Sequence, residues 1–280
     1  MMDYVNPQEV VENMVDAGEK KAKLSPGQLL VRGMFGSALL GFATTLAFQF
    51  EVQTSIGMLG AIVFPVGFVM IILLGFELVT GNFALIPLAV HEGKATVGQM
   101  LLNWLWVLIG HIIGGILYGV LFYLSITNAG TNFENPLSQK LTAVAEMKTN
   151  GYKELGAAGF LVVFVKAILC NWMVTLGAVL AMSSKSTIGK VAAMWLPIMT
   201  FFGQGFEHSV VNLFVIPTGI FLGADVTIAD WWAWNQVPVL LGNLIGGLVF
   251  TGAGVYFMHK KRAVAVEMQE LENNIVKTTA

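Results

Sequence analysis

The chain has 280 residues, of which 56% are apolar and only 11% are Asp, Glu, Lys or Arg, and its formal charge is −2. Soluble domains average about 25% charged residues, so the composition excludes a soluble enzyme, a disordered chain and a nucleic-acid binder, the last of which needs a basic excess. The single cysteine, Cys170, excludes an internal disulfide and a paired-cysteine metal site.

Residues 1–28 form the first expected unit. Asp3, Glu9, Glu12, Asp16 and Glu19 precede Lys20, Lys21 and Lys23, and no apolar run follows a basic start, so the segment does not read as a signal peptide. Asn6-Pro7-Gln8-Glu9 reads as a helix start, with Asn6 at the cap and Pro7 in the first helical position. Val10, Val11, Met14 and Val15 recur on one face. This predicts a short amphipathic helix lying on the membrane surface or against the rest of the protein.

A helical span needs about 20 mostly apolar residues. Segments at 29–50, 55–91, 99–124, 157–182, 190–223 and 235–258 meet that need. The expected fold is an all-α membrane protein with a six-span domain over residues 29–258 and a tail over 259–280. Lys and Arg gather in the N-terminal segment, after the second and fourth segments, and in the tail. That places both termini on the cytoplasmic side of a multi-pass cell-membrane protein. Lys140, Lys148 and Lys153 are offset by Glu134, Glu146 and Glu154 and fall in what reads as an outer loop.

The second and fifth segments are too long for one span, and both are interrupted. Gly75-Phe76-Glu77 aligns with Gly205-Phe206-Glu207, and in that register Asn82 falls on Asn212 and Pro87 on Pro217. The third and sixth segments align as well, Gly110-His111-Ile112-Ile113-Gly114-Gly115 against Gly242-Asn243-Leu244-Ile245-Gly246-Gly247. Arg32 and Ser37 sit where Lys166 and Asn171 recur. Each half has three segments, so the halves have opposite topology, a 3+3 inverted repeat whose paired broken helices mark a binding region. A half-helix starting inside the membrane aims free N–H groups and a positive dipole end at one place, and two such ends facing one pathway favour an anion or a polar neutral molecule that can accept hydrogen bonds. Glu77 and Glu207, ionisable at membrane depth, are expected with Asn82 and Asn212 to hold the breaks, the carboxylates through hydrogen bonds to backbone N–H groups, with a proton relay as the alternative role. Thr80 is a candidate cap for a half-helix beginning near Asn82. His111 reads as a packing or interface residue, and the paired glycines as close helix contacts.

At these residues the sequence resembles the formate/nitrite transporter family. The resemblance rests on Leu78-Val79-Thr80-Gly81-Asn82, on Lys166-Ala167-Ile168-Leu169-Cys170-Asn171-Trp172, on Gly205-Phe206-Glu207-His208-Ser209 with Asn212, and on Gly242 to Gly247. It implies an aquaporin-like six-helix protomer, a homopentamer with a pore in each protomer, and conduction of small monovalent anions such as formate. His208 and Thr80 match residues facing each other across the pathway. Leu78, Phe64, Phe68 and Phe201 match constrictions, and Asn171 and Asn243 match polar residues lining the path. Lys21 matches a lysine of the N-terminal helix. Some members carry a vestibule lysine where this chain has Leu155, and Lys153 or Lys166 is expected to supply that charge. Nitrite, hydrosulfide and lactate are the alternative substrates. An intramembrane enzyme lacks support, because HExxH and GxSxG are both absent. Membrane lipid is the other expected partner, and no cofactor, metal or nucleic acid is expected.

Overall fold

A computed structural model describes residues 3–260, so most of the expected tail, with Lys261, Arg262 and Lys277, lies outside the described residues. Helix α1 (Pro7–Ala22) starts at Asn6, whose Oδ1 accepts the N–H groups of Gln8 and Glu9 at 3.1 and 3.0 Å. Its buried face, Val10, Val11, Met14 and Val15, packs on Leu85, Leu88, Val179 and Tyr256. Of the two placements expected for this helix, the structure has the one against the protein, because apolar partners are available there. A 2.8 Å bond from Lys94 to Asp16 adds a polar tie and holds the Asp16 carboxyl below its ordinary range.

Helix α2 (Pro26–Thr54) follows a Ser25/Gln28 capping box. The short α3 (Gly57–Val63) and α4 (Pro65–Leu74) meet at Phe64, and α5 (Val79–His91) comes after a non-helical stretch. Then come α6 (Val97–Ile126), α7 (Pro136–Glu154), α8 (Ala157–Ala181), α9 (Thr187–Gly203) and α10 (Ser209–Phe221). The last helix, α11 (Ile228–His259), contains π-helical stretches at Trp232–Gln236 and Gly246–Ala253. Five stretches among the described residues are long and apolar enough to cross a membrane: α2, Gly57–Leu74, α6, α8 and α11. Helices α5, α9 and α10 are apolar but shorter.

Helix α7 corrects the reading of its stretch as a loop. Its composition is polar, but Asn135 caps it and Pro136 starts it, while Leu137, Leu141, Val144 and Ala145 form a buried stripe. It packs on α10, α8 and α2 much as α1 packs on α5.

Candidate functional site

Both interruptions have the same backbone course. Gly75 and Gly205 adopt φ values of +68° and +64°, in the left-handed region that glycine enters at low cost. The chain then runs extended through Leu78 (φ −126°, ψ 120°) and His208 (φ −111°, ψ 117°) and re-enters helix at Val79 and Ser209. Thr80 is therefore not the cap proposed for it. The helix begins at Val79, with Leu78 at the cap position two residues before Thr80, and the Thr80 hydroxyl is left for another partner.

The first N–H group of each resumed helix needs an acceptor, since no preceding turn supplies one. Val79 N–H donates to His111 Nε2 at 3.0 Å, and Ser209 N–H donates to Asn243 Oδ1 at 2.8 Å. The other ends of these side chains match too. His111 Nδ1 donates to Gly33 O at 2.8 Å, and Asn243 Nδ2 donates to Ala167 O at 2.8 Å and Glu207 O at 2.9 Å. His111 is thus neutral with its proton on Nδ1, and it holds a break rather than filling space. Asn243, expected to line a path, spends its side chain on backbone. Asn171 donates to Thr80 O at 3.1 Å and Asn243 O at 2.6 Å. His111→Ala should cost about 1–3 kcal/mol by orphaning a buried donor. His111→Asn should restore part of that loss, since asparagine does this job in the other half. Thermal unfolding in detergent reads both, and equal loss in the two variants would contradict the assignment.

The carboxylates do not bind the backbone N–H groups as expected. Glu77 takes Lys21 Nζ on both oxygens at 2.9 Å and Asn82 Nδ2 at 2.8 Å. Glu207 takes Lys148 Nζ and Asn212 Nδ2 at 2.8 Å each and the Tyr152 hydroxyl at 2.8 Å. Asn82 and Asn212 then donate to Asn103 and Asn235, and those donate to the carbonyls of Lys21 and Lys148. Each acid ties its break to a flanking amphipathic helix, α1 or α7. An ammonium neutralises a buried carboxylate, which an amide N–H cannot do.

His208 lies where the halves differ, since its counterpart is Leu78. Its Nδ1 accepts the Val211 N–H at 3.3 Å, which leaves the proton of the neutral ring on Nε2, 3.1 Å from Thr80 Oγ1. The two breaks meet at this pair, and both residues are buried. The imidazole lies 5.8 Å from the Phe201 ring, which is edge-on to Phe64 at 5.6 Å.

A cavity of about 450 Å³ opens from the α7 side and reaches His208, Phe201 and Glu207. Lys140, Lys148 and Lys166 line it. Lys140 pairs with Glu51 at 2.9 Å and Lys148 with Glu207, whereas Lys166 lies 5.7 Å over the Tyr152 ring. Lys153 does not supply this vestibule, because it turns to Asp230 at 2.9 Å. A second cavity of about 420 Å³ opens on the α1 side against Gly75, Phe76 and Glu77. Arg32 lines one cavity and Glu51 the other, and roughly 28 Å of α2 separates them at about 1.5 Å per residue. Leu78, Phe64 and Phe68 are buried and line neither cavity. Sequence reasoning missed Lys148 and Tyr152, because a polar stretch read as a loop gives no register. The match of α7 to α1 appears only once the helices are packed about the breaks.

The sequence model described as "Formate/nitrite transporter" matches residues 8–257. The "Uncharacterized transporter YrhG" of Bacillus subtilis is 34% identical over 96% of this chain and 100% of its own length. The "Formate channel BtFdhC" of Bacillus thuringiensis is 32% identical over 93% and 98%. Among solved structures, a "Pentameric formate channel with formate bound" superposes with a TM-score of 0.69 at 22% identity, covering 83% of this chain and 97% of that one.

Proposed function

The chain belongs to the formate/nitrite transporter family, and from that premise we propose that it carries formate or a similar small monovalent weak-acid anion across the cell membrane. The observation that carries this reading is the buried His208–Thr80 pair, which joins the two breaks and is reached from a cation-lined vestibule. Formate is the substrate class because a relative 32% identical along nearly its whole length is named a formate channel. The matching contacts about the two breaks favour a 3+3 inverted repeat of six spans. The likeness to a pentameric channel favours a homopentamer, with the exposed apolar side chains of α2, α6 and α8 facing lipid or neighbouring copies.

Lys166 raises the local anion concentration, whereas Lys21, expected to attract anions on the other face, is neutralised by Glu77 and carries no free charge into its cavity. Phe201, Phe64, Phe68 and Leu78 oppose a bare charge, because desolvating an ion in an apolar slot costs several kcal/mol or more. His208 relieves that cost. Its Nε2–H donates a hydrogen bond to the entering carboxylate, and when a vestibule proton is taken up at Nδ1, which releases the Val211 N–H, Nε2 gives its proton to the anion. The neutral acid then passes the slot, and the ring returns to its resting tautomer when Nε2 takes up a proton from vestibule hydronium and Nδ1 releases one to vestibule water and again accepts the Val211 N–H. Asn171 and Asn243 fix the backbone about the pair. The mode is a channel or proton-coupled transport, and His208 serves both.

The test is a reconstituted flux panel of formate, nitrite, hydrosulfide and lactate across a pH series, with wild type and His208→Asn side by side. Asparagine still caps α10, so the variant keeps its fold. Formate flux is expected to fall on the order of 100-fold, as for loss of a positioned proton donor, with a flattened pH profile. An unchanged pH profile removes His208 from the mechanism, and no flux of any of the four anions overturns the function.

A further inference from the structure

The two vestibules differ in how their charges are matched. On the α7 side, two of the three lysines pair with carboxylates in the same cavity. On the α1 side, Lys20, Lys21, Arg32 and Lys190 share one cavity with a single acid, Glu77. Lys21 occupies both oxygens of that acid. Arg32 has only a 3.4 Å contact to Gly75 O. No ion pair forms on Lys20, Arg32 or Lys190 among the described residues. Lys20, Arg32 and Lys190 thus surround about 420 Å³ of space with no ion pair among the described residues, Asp16 being only in coulombic reach of Lys20, which is more room and charge than one small monovalent anion needs.

We propose that the α1-side vestibule binds soluble multivalent anions of the phosphate class, and that their binding occludes this mouth. Attraction to fixed cations grows with the charge of the ligand, so a di- or trivalent phosphate outcompetes a monovalent anion at equal concentration. The same ligand cannot follow the pathway, because a multiply charged ion pays a steeper desolvation cost at the buried breaks. The ligand therefore leaves only by the mouth it entered. The α7 side, with one unmatched lysine, lacks the charge for this. The occluding half of the proposal rests on the pathway reading above, whereas the binding half does not.

The probe is inorganic pyrophosphate. In detergent-solubilised full-length protein, calorimetry should detect its binding, weakened at least about tenfold in Arg32→Gln/Lys190→Gln and weakened again when salt shortens the Debye length below about 10 Å. In vesicles, formate flux should fall when pyrophosphate is supplied to the α1 face and not when it is supplied to the other, with chloride at matched ionic strength inert. Equal inhibition from both faces, binding indifferent to the double substitution, or no binding at millimolar pyrophosphate would overturn the proposal. Binding that competes only with phosphatidic acid and not with pyrophosphate would reassign the cations to a lipid headgroup and also overturn it. A protein that binds pyrophosphate yet conducts no anion would sink the transport reading alone.

Discussion

Lys148→Met is expected to destabilise the folded protein by about 3–5 kcal/mol, the cost of leaving a buried carboxylate without its cation. Glu207 is 2% exposed and Lys148 14%, so water from the cavity they line replaces the lost ammonium only in part. Asn212 and Tyr152 stay hydrogen-bonded to Glu207 but carry no charge. Removing the acid as well, in Lys148→Met/Glu207→Gln, should recover much of the loss, because the double variant buries no unpaired charge. The matching change on the other face, Lys21→Met, should cost less, since Lys21 is 24% exposed and solvent reaches its side of Glu77. Unfolding midpoints in detergent for the wild type, both single variants of the Lys148–Glu207 pair and their double give the coupling directly. A Lys148→Met protein as stable as wild type, or a double variant no better than the single, would show that the pair does not hold the break.

The second large effect concerns packing of one backbone on another. A Cβ on Gly114 would lie 2.0 Å from Met34 O, and one on Gly246 would lie 2.3 Å from Ile168 O. Gly110 and Gly242 are equally constrained, at 2.4 Å from Leu30 O and 2.6 Å from Phe164 O. The obstructing atoms are backbone, so no rotamer change relieves them, and the helices must separate. Gly114→Val is expected to cost roughly 3 kcal/mol or more, at or beyond the upper end for overpacking. It should abolish monodisperse protein on size exclusion. Gly27→Ala is the control, because nothing lies within 4 Å of its Cβ position, and it should express as wild type. A well-behaved Gly114→Val protein would mean that α2 and α6 do not approach as closely as described.

These two experiments probe features that the sequence revealed unequally. The glycine spacing was legible, since small residues four apart in an apolar helix have one common use. The carboxylates were legible as important, because an acid at membrane depth is costly and recurs here in both halves. Their partners were not. Lys148 is 59 residues from Glu207, and Lys21 is 56 from Glu77. No periodicity connects such pairs. His111 and Asn243 aligned with one another in sequence, yet an imidazole and an amide share no obvious task until each is seen accepting the first N–H group of a resumed helix.

Local and compositional facts were therefore decided by the residues alone. These are the apolar spans, the capped amphipathic start at Asn6, the interruptions at Gly75 and Gly205, and the recurrence of one pattern in two halves. The first three depend on neighbours within a few turns, where spacing along the chain and spacing in space are nearly the same, and the recurrence follows from comparing two stretches of sequence. Tertiary structure alone decided which ammonium neutralises which carboxylate, that a polar stretch becomes helix α7, and that His208 meets Thr80 across the two breaks. Those contacts join residues far apart in the chain, and their geometry exists only after the helices have packed.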